Sequence, residues 1–396
     1  MNRFNSDRFV GTSVYGVRMP IIAAGDEISD TICNTLAAAA QAAYQPLVFD
    51  DRDIVGVTES FLARSQKNYV SLADIAADVS AVFPSGDVAV AFGILSRNRF
   101  AKILEGIVQG VQGKVYVCLS YPADEVGNPL IDEDKLLDSS VNPYTDILTA
   151  AEFKSQFGTY LHPFTQTDYI ALYQNISDKI EIVLLNNPKD VLKFSHQVIV
   201  ASIHNRGRHK KALAAAGAKV ITLEDICNKP TDAHGYSPYG LLGSNFASGD
   251  TLKLFPRDAE EFCNALQTKL FHLTGKKIEV LVYGDGGFKC PAAHIWEFAD
   301  PVVSPGFTDG LKGTPEEVKI KAVADSHGGA CDEAVRQAIA QKKAGQNLYA
   351  LGTTPRRLTD LIGSLCDLTS GSGDKGTPVV YIKGYFDDYT SPAPQK

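Results

Sequence analysis

Short apolar runs that alternate with helical segments constrain this chain more than any other feature. Asp53–Val57, Asp87–Phe92, Val115–Leu119, Ile180–Leu185, Val198–Ile203, Lys219–Leu223, Ile278–Tyr283 and Val379–Ile382 each read as a buried strand. Between them the sequence turns helical. The first helix runs from Gly25 to Tyr44, with Asp26 and Glu27 near its positive end. Others follow at Phe61–Gln66, Phe100–Val108, Arg208–Ala216, Ala259–Thr274, Glu316–Asp325 and Pro355–Leu365, and Gly217 and Gly275 stand where helix stops belong. Such alternation specifies an α/β fold with mixed sheets. Residues 1–15 read as a polar arm, Val17–Ile22 as an extended run set by Pro20, and Ser391–Lys396 as a frayed tail.

From Pro122 to about Pro238 the texture changes, with Asp124–Asp146 loop-like and a further α/β unit after it. The chain is therefore expected to comprise an N-terminal part (1–125), an inserted α/β subdomain (126–236) and a C-terminal part (237–396) that completes the first. A chain of 396 residues, 44% hydrophobic, can bury a core in each. Its 38 basic and 46 acidic residues give a net charge of −8, which argues against a nucleic-acid partner but leaves room for a local phosphate pocket. Seven scattered cysteines without a C-x-x-C pair support neither a disulfide framework nor a zinc ribbon, and favour a reducing cytoplasm. The polar N-terminus is unlike a signal peptide, and no apolar run approaches the roughly 18 residues of a membrane span. A soluble protein with no membrane partner is expected.

Several segments could carry chemistry. A Walker P-loop is absent. Gly371-Ser372-Gly373-Asp374-Lys375-Gly376 spells G-x-G-x-x-G, but its strand follows rather than precedes it, so the dinucleotide reading fails. The loop is either an anion-binding nest or a flexible surface segment. Gly284-Asp285-Gly286-Gly287 closes an apolar strand, where Asp285 could hold a hard cation or simply make a tight turn. Glu297, Asp300, Asp309 and Asp325 follow; two or more converging would suit metal-assisted phosphoryl transfer. Ser96–Arg99 and Arg206–Lys211 are the densest basic stretches, open to phosphate binding or to plain solvation. His162 and His204 read as core-edge histidines. No Gly-x-Ser-x-Gly elbow occurs, which disfavours nucleophilic hydrolysis.

Taken in order, these segments resemble the coenzyme F-420 γ-glutamyl ligase family. The resemblance is carried by Met19-Pro20-Ile21-Ile22 with Gly25-Asp26, by Val57–Arg64, and by Gly240-Leu241-Leu242-Gly243-Ser244-Asn245. Leu273-Thr274-Gly275-Lys276-Lys277 leading to Gly284-Asp285-Gly286, Ala322-Val323-Ala324-Asp325, and Gly371–Pro378 complete it. It spans roughly residues 16–110 and 238–385 and implies a two-domain amide-ligase-like core, with residues 126–236 as the insertion. It further implies a GTP- or ATP-dependent ligase that uses Mg²⁺ or Mn²⁺, phosphorylates a small-molecule carboxylate and joins it to glutamate through an acyl phosphate. Met19, Pro20, Ile21, Ile22, Ser60, Arg64 and Asn245 would contact the purine nucleotide. Gly371, Ser372, Gly373 and Gly376 would cradle phosphates, and Asp285, Asp325 and Asp374 would hold metal. A homodimer is implied as well. The chain departs from the pattern where Leu242 replaces a metal-binding Asp, where Ser372 replaces an acidic loop residue, and where Phe288-Lys289-Cys290-Pro291 replaces arginines. These losses motivate two alternatives, a non-catalytic nucleotide or metabolite binder and a folate-type glutamyl ligase.

Overall fold

The structure, a computed structural model, describes residues 9–285, 300–329, 331–346, 356–370 and 373–392. It is α/β, built on three sheets. The first runs Ser13–Val17, Val379–Lys383, Ile54–Thr58, Glu279–Tyr283, Gly306–Phe307. Its central pair is parallel, with Glu279 beside Ile54 and Tyr283 beside Thr58, and the other pairings are antiparallel. Both central strands are apolar along nearly their whole length because both faces are covered. Helices Ile28–Ala40 and Ala259–Thr274 bury Ile32, Leu36, Leu266 and Leu270 against one face, and Leu358–Ser370 buries Ile362 and Cys366 against the other.

The second sheet has six strands, in the order Leu148–Thr149, Ile180–Leu184, Val115–Leu119, Val88–Ala91, Gln197–Val200, Lys219–Thr222. The last five are parallel. Counted along the chain their spatial order is 3-2-1-4-5, a doubly wound arrangement whose direction reverses between Val88–Ala91 and Gln197–Val200. Strands on both sides of residue 126 therefore share one sheet. A short antiparallel ribbon, Asn245–Ser248, Thr251–Lys253 and Tyr69–Ser71, forms the third.

The eight sequence-expected strands all form, as does Ala259–Thr274 with Gly275 at its left-handed C-terminal stop. The supposed polar arm is partly wrong: Ser13–Val17 pairs in register with Lys383–Val379, supplying the edge strand that residues 379–383 require. The helix Leu72–Val82 also escaped the sequence reading. It opens on a reciprocal cap in which Ser71 Oγ accepts from the Asp74 N–H at 3.2 Å while Asp74 accepts the Ser71 N–H at 2.7 Å. It lies tightly on Phe100–Gly110, because glycine faces it: a Cβ at Gly106 would stand 2.9 Å from Ile75, and one at Gly110 only 2.4 Å from the Ala76 carbonyl oxygen. Gly110→Ala is expected to force these helices apart and lower stability by about 1–3 kcal/mol. A urea midpoint equal to that of the unaltered protein would contradict the close approach.

Candidate active site

Parallel strands of the two larger sheets end facing each other. Ile54–Thr58 runs into Glu59 and Ser60, and Glu279–Tyr283 into Gly284 and Asp285. Opposite them, Val88–Ala91 leads to Ile94–Arg99, Gln197–Val200 to Ala201–Ile203, and Lys219–Thr222 to Leu223. These segments line one cleft of ≈ 1160 Å³. The carboxyl ends of parallel strands are where α/β proteins bind ligands.

The floor of the cleft is charged. Arg99 reaches from the second sheet to the first, donating from Nη2 to Asp285 at 2.7 Å and from Nη1 to Asp300 at 3.3 Å. The other Asp300 oxygen accepts the Asp285 backbone N–H at 2.7 Å. Gly284 is required here, since a Cβ would meet that oxygen at 2.1 Å. Lys253 donates to both Glu59 oxygens at 2.6 and 2.5 Å. Asp300 is 2% exposed and Asp285 41%. Burial, and then the neighbouring Asp285 charge, push Asp300 up to about 7 although Arg99 opposes the shift. Glu59 is likewise raised by burial against the pull of Lys253. Burial works against the Arg99 charge, yet Asp300, Asp285 and Glu59 together hold its pKa above the ordinary value.

The wall on the side of the second sheet is apolar, formed by Ile94, Leu95, Ile103, Val126, Ile203 and Leu241. Its polar groups are turned on one another. His162 Nδ1 accepts the Phe164 and Thr165 N–H groups at 3.3 and 3.2 Å, which leaves the proton on Nε2, 3.2 Å from Asn128 Oδ1. Burial lowers the His162 pKa, so the ring is neutral. Asn128 donates to Asp124 at 2.7 Å, and Asp124 also accepts N–H groups of Leu95, Val126 and Asn128. Ser244 differs: among the described residues its buried hydroxyl, on a residue of the cleft lining, has no hydrogen-bond partner.

Of the residues singled out in the sequence, Ser60, Arg64, Asn245, Asp285, Gly373 and Gly376 line this cleft. The Met19 N–H donates to the Gly376 carbonyl at 3.0 Å and Arg64 Nε to the Ile22 carbonyl at 2.9 Å, so the Met19–Ile22 run is stitched to its edge. Pro20 and Ile21 are exposed. Asp325, on the helix Ile320–Ser326, and Asp374 are exposed and do not line the cleft, and Asp309 pairs with Lys312 at the surface. Gly371, Ser372 and Glu297, with the Phe288–Pro291 stretch, lie outside the described residues. Glu59 and Lys253 were missed, because nothing local marks a carboxylate and an amine that meet from residues 194 apart. Arg99 was visible only as part of a basic stretch. The other stretch is internally satisfied: Arg206 pairs with Glu224 and Lys210 with Asp225, each at 2.8 Å. Glu125 accepts the N–H groups of Ile203, His204 and Asn205 ahead of that helix.

A resident divalent cation does not fit this floor. Arg99 holds one oxygen each of Asp285 and Asp300, the Asp285 N–H takes the second Asp300 oxygen, and Lys253 holds both of Glu59. Among the described residues no group of three Asp, Glu, His or Cys side chains is arranged to hold a metal ion.

Comparison with known families places the chain among the ligases. The family is the F420-0:Gamma-glutamyl ligase family, whose model matches residues 16–384, and the chain belongs to it. The match spans residues 126–236 as well. No individual curated protein matches the sequence. Among the described residues no helix is long and apolar enough to cross a membrane.

The raised Asp300 pKa has a consequence for stability. Between its ordinary 3.8 and about 7 the folded state holds a proton that the unfolded chain has released. This carboxyl therefore makes stability fall as pH rises through that window. Asp300→Asn, which cannot ionise, is expected to flatten the fall in urea midpoint between about pH 4 and pH 7. An unchanged pH profile would contradict the assignment.

Proposed function

We propose that this cleft joins the amine of glutamate to a small-molecule carboxylate at the expense of a purine nucleoside triphosphate, GTP or ATP. The observation that carries the reading is the convergence of Ser60, Arg64, Asn245, Asp285, Gly373 and Gly376 on one cleft that has both a charged floor and an apolar wall. The floor and the glycine-bearing edge suit phosphates, and the apolar wall suits the body of the acceptor.

In the first step an acceptor carboxylate oxygen attacks the γ-phosphorus; the bond to the β-phosphate bridging oxygen breaks and the nucleoside diphosphate leaves. The glutamate amine, deprotonated, then attacks the acyl carbon. A C–N bond forms, the acyl C–O bond breaks, and inorganic phosphate departs. Arg64 and Arg99 neutralise charge on the transferring phosphoryl group, a contribution that depends on fixed positions more than on number. Asp285 and Asp300 fix Arg99. Mg²⁺ or Mn²⁺, where present, enters as the counter-ion of the nucleotide rather than through a cage of protein carboxylates. A homodimer belongs to the same proposal.

Purified protein supplied with glutamate, GTP or ATP and a panel of carboxylic acids is expected to release phosphate only when glutamate and an acceptor are both present. Asp285→Asn, by freeing Arg99 from its aim, is expected to lower turnover by about 10²-fold. Arg64→Ala is expected to raise the KM for nucleotide about ten-fold or more. Thermal stabilisation by nucleotide without phosphate release from any acceptor would favour the non-catalytic binder instead.

A further inference from the structure

Arg99 sits where a metal ion would have to sit. One guanidinium edge bridges carboxylates from two separate turns, Asp285 at 2.7 Å and Asp300 at 3.3 Å, as a divalent cation bridges acidic ligands. The remaining acid of the floor, Glu59, is taken by Lys253 through both of its oxygens. On the adjoining wall Leu242 is fully buried and supplies no donor. We propose that Arg99, seconded by Lys253, is a built-in cation that replaces a protein-bound divalent metal at the floor of the cleft, so that the phosphates of the nucleotide are met by a guanidinium.

An incoming Mg²⁺ or Mn²⁺ would have to take Asp285 and Asp300 away from Arg99, leaving a guanidinium unpaired in a mostly desolvated place. Removing one partner of a buried ion pair is strongly unfavourable. Nor does Arg99 have an easy way to withdraw. It stands immediately before the helix Phe100–Gly110, its own carbonyl accepts the Ile103 N–H at 3.1 Å, and Ser96 Oγ accepts the Phe100 N–H at 2.9 Å. The preceding residue is fixed as well, with the Asn98 carbonyl accepting the Phe246 N–H at 2.8 Å. A guanidinium held in this way keeps its charge at any physiological pH and presents a planar fork that matches phosphate oxygens. Two of its five N–H donors are spent on the carboxylates, and among the described residues no other acceptor takes the rest.

The inference takes the position of the phosphates from the ligase reading, but its test needs neither nucleotide nor acceptor, so each can fail without the other. Mn²⁺ alone is titrated into the full chain and free ion is followed by electron paramagnetic resonance. The unaltered protein is expected to show no site of micromolar affinity. Arg99→Ala, checked for folding by circular dichroism, is expected to gain a Mn²⁺ site at least ten-fold tighter than any in the unaltered protein, and Asp285→Asn in that background is expected to remove it. A micromolar site in the unaltered protein that Asp285→Asn abolishes would overturn the proposal. So would a folded Arg99→Ala that binds no better. Should Arg99→Ala fail to fold, the unaltered protein and Asp285→Asn alone still decide the matter.

Discussion

The Arg99 bridge to Asp285 and Asp300 is the interaction on which the geometry of the cleft depends. It joins the loop that leaves Val88–Ala91 to the turn that leaves Glu279–Tyr283, and so fixes the carboxyl ends of two different sheets against each other. Such a pair is costly to desolvate and contributes little net stability compared with apolar packing. Its value is positional. Two carboxylates and one guanidinium admit few arrangements, and the Asp285 N–H bond to Asp300 removes most of those. The apolar faces determine that each sheet folds; the ionic floor determines how the two faces of the cleft meet.

The six-stranded sheet shows why its strand order alone does not identify a nucleotide site. Its direction reverses beside Val88–Ala91, where doubly wound proteins commonly bind phosphates. Here the protein fills those positions with its own carboxylates. Glu125 accepts three successive backbone N–H groups before the helix Arg206–Ala215, and Asp124 takes those of Leu95, Val126 and Asn128. Backbone donors that could receive an anion are thus spent within the fold. Apart from Arg99, what this sheet leaves exposed to the cleft is mostly hydrocarbon, and Arg64 and the Gly373–Gly376 turn line the opposite side.

Much of this architecture was legible because it is written in local patterns. Apolar runs four to six residues long announced the buried strands, and the stop at Gly275 announced the end of its helix. The failures share one cause. Ser13–Val17 is a strand only because Val379–Lys383 offers it an edge more than 360 residues away, and Thr251–Lys253, on which Asn245–Ser248 pairs in turn, depends likewise on residues 69–71. The Leu72–Val82 helix is different, since its Ser71–Asp74 cap is local and visible in the sequence itself. For the site, the glycine-bearing turns and the Ser60–Arg64 segment drew attention as motifs. Asp300 stands among the acids that the sequence offers beside Asp285, and it does meet it; Arg99 could not be found that way, because it reaches Asp285 from 186 residues away.

Asp285 after a glycine, at the end of an apolar strand, is a good position for a metal ligand, and with only its neighbours in sequence a cation is the natural partner. The fold supplies a cation, but a covalently attached one. An acidic turn specifies that positive charge will be bound; whether this is an ion from solution or a side chain is decided by what the opposite wall carries. Arg99 stands there, and Leu242, buried at the same cleft, offers no side-chain oxygen to bring an ion back. The positive charge that meets Asp285 and Asp300 is thereby set by the folding of the chain.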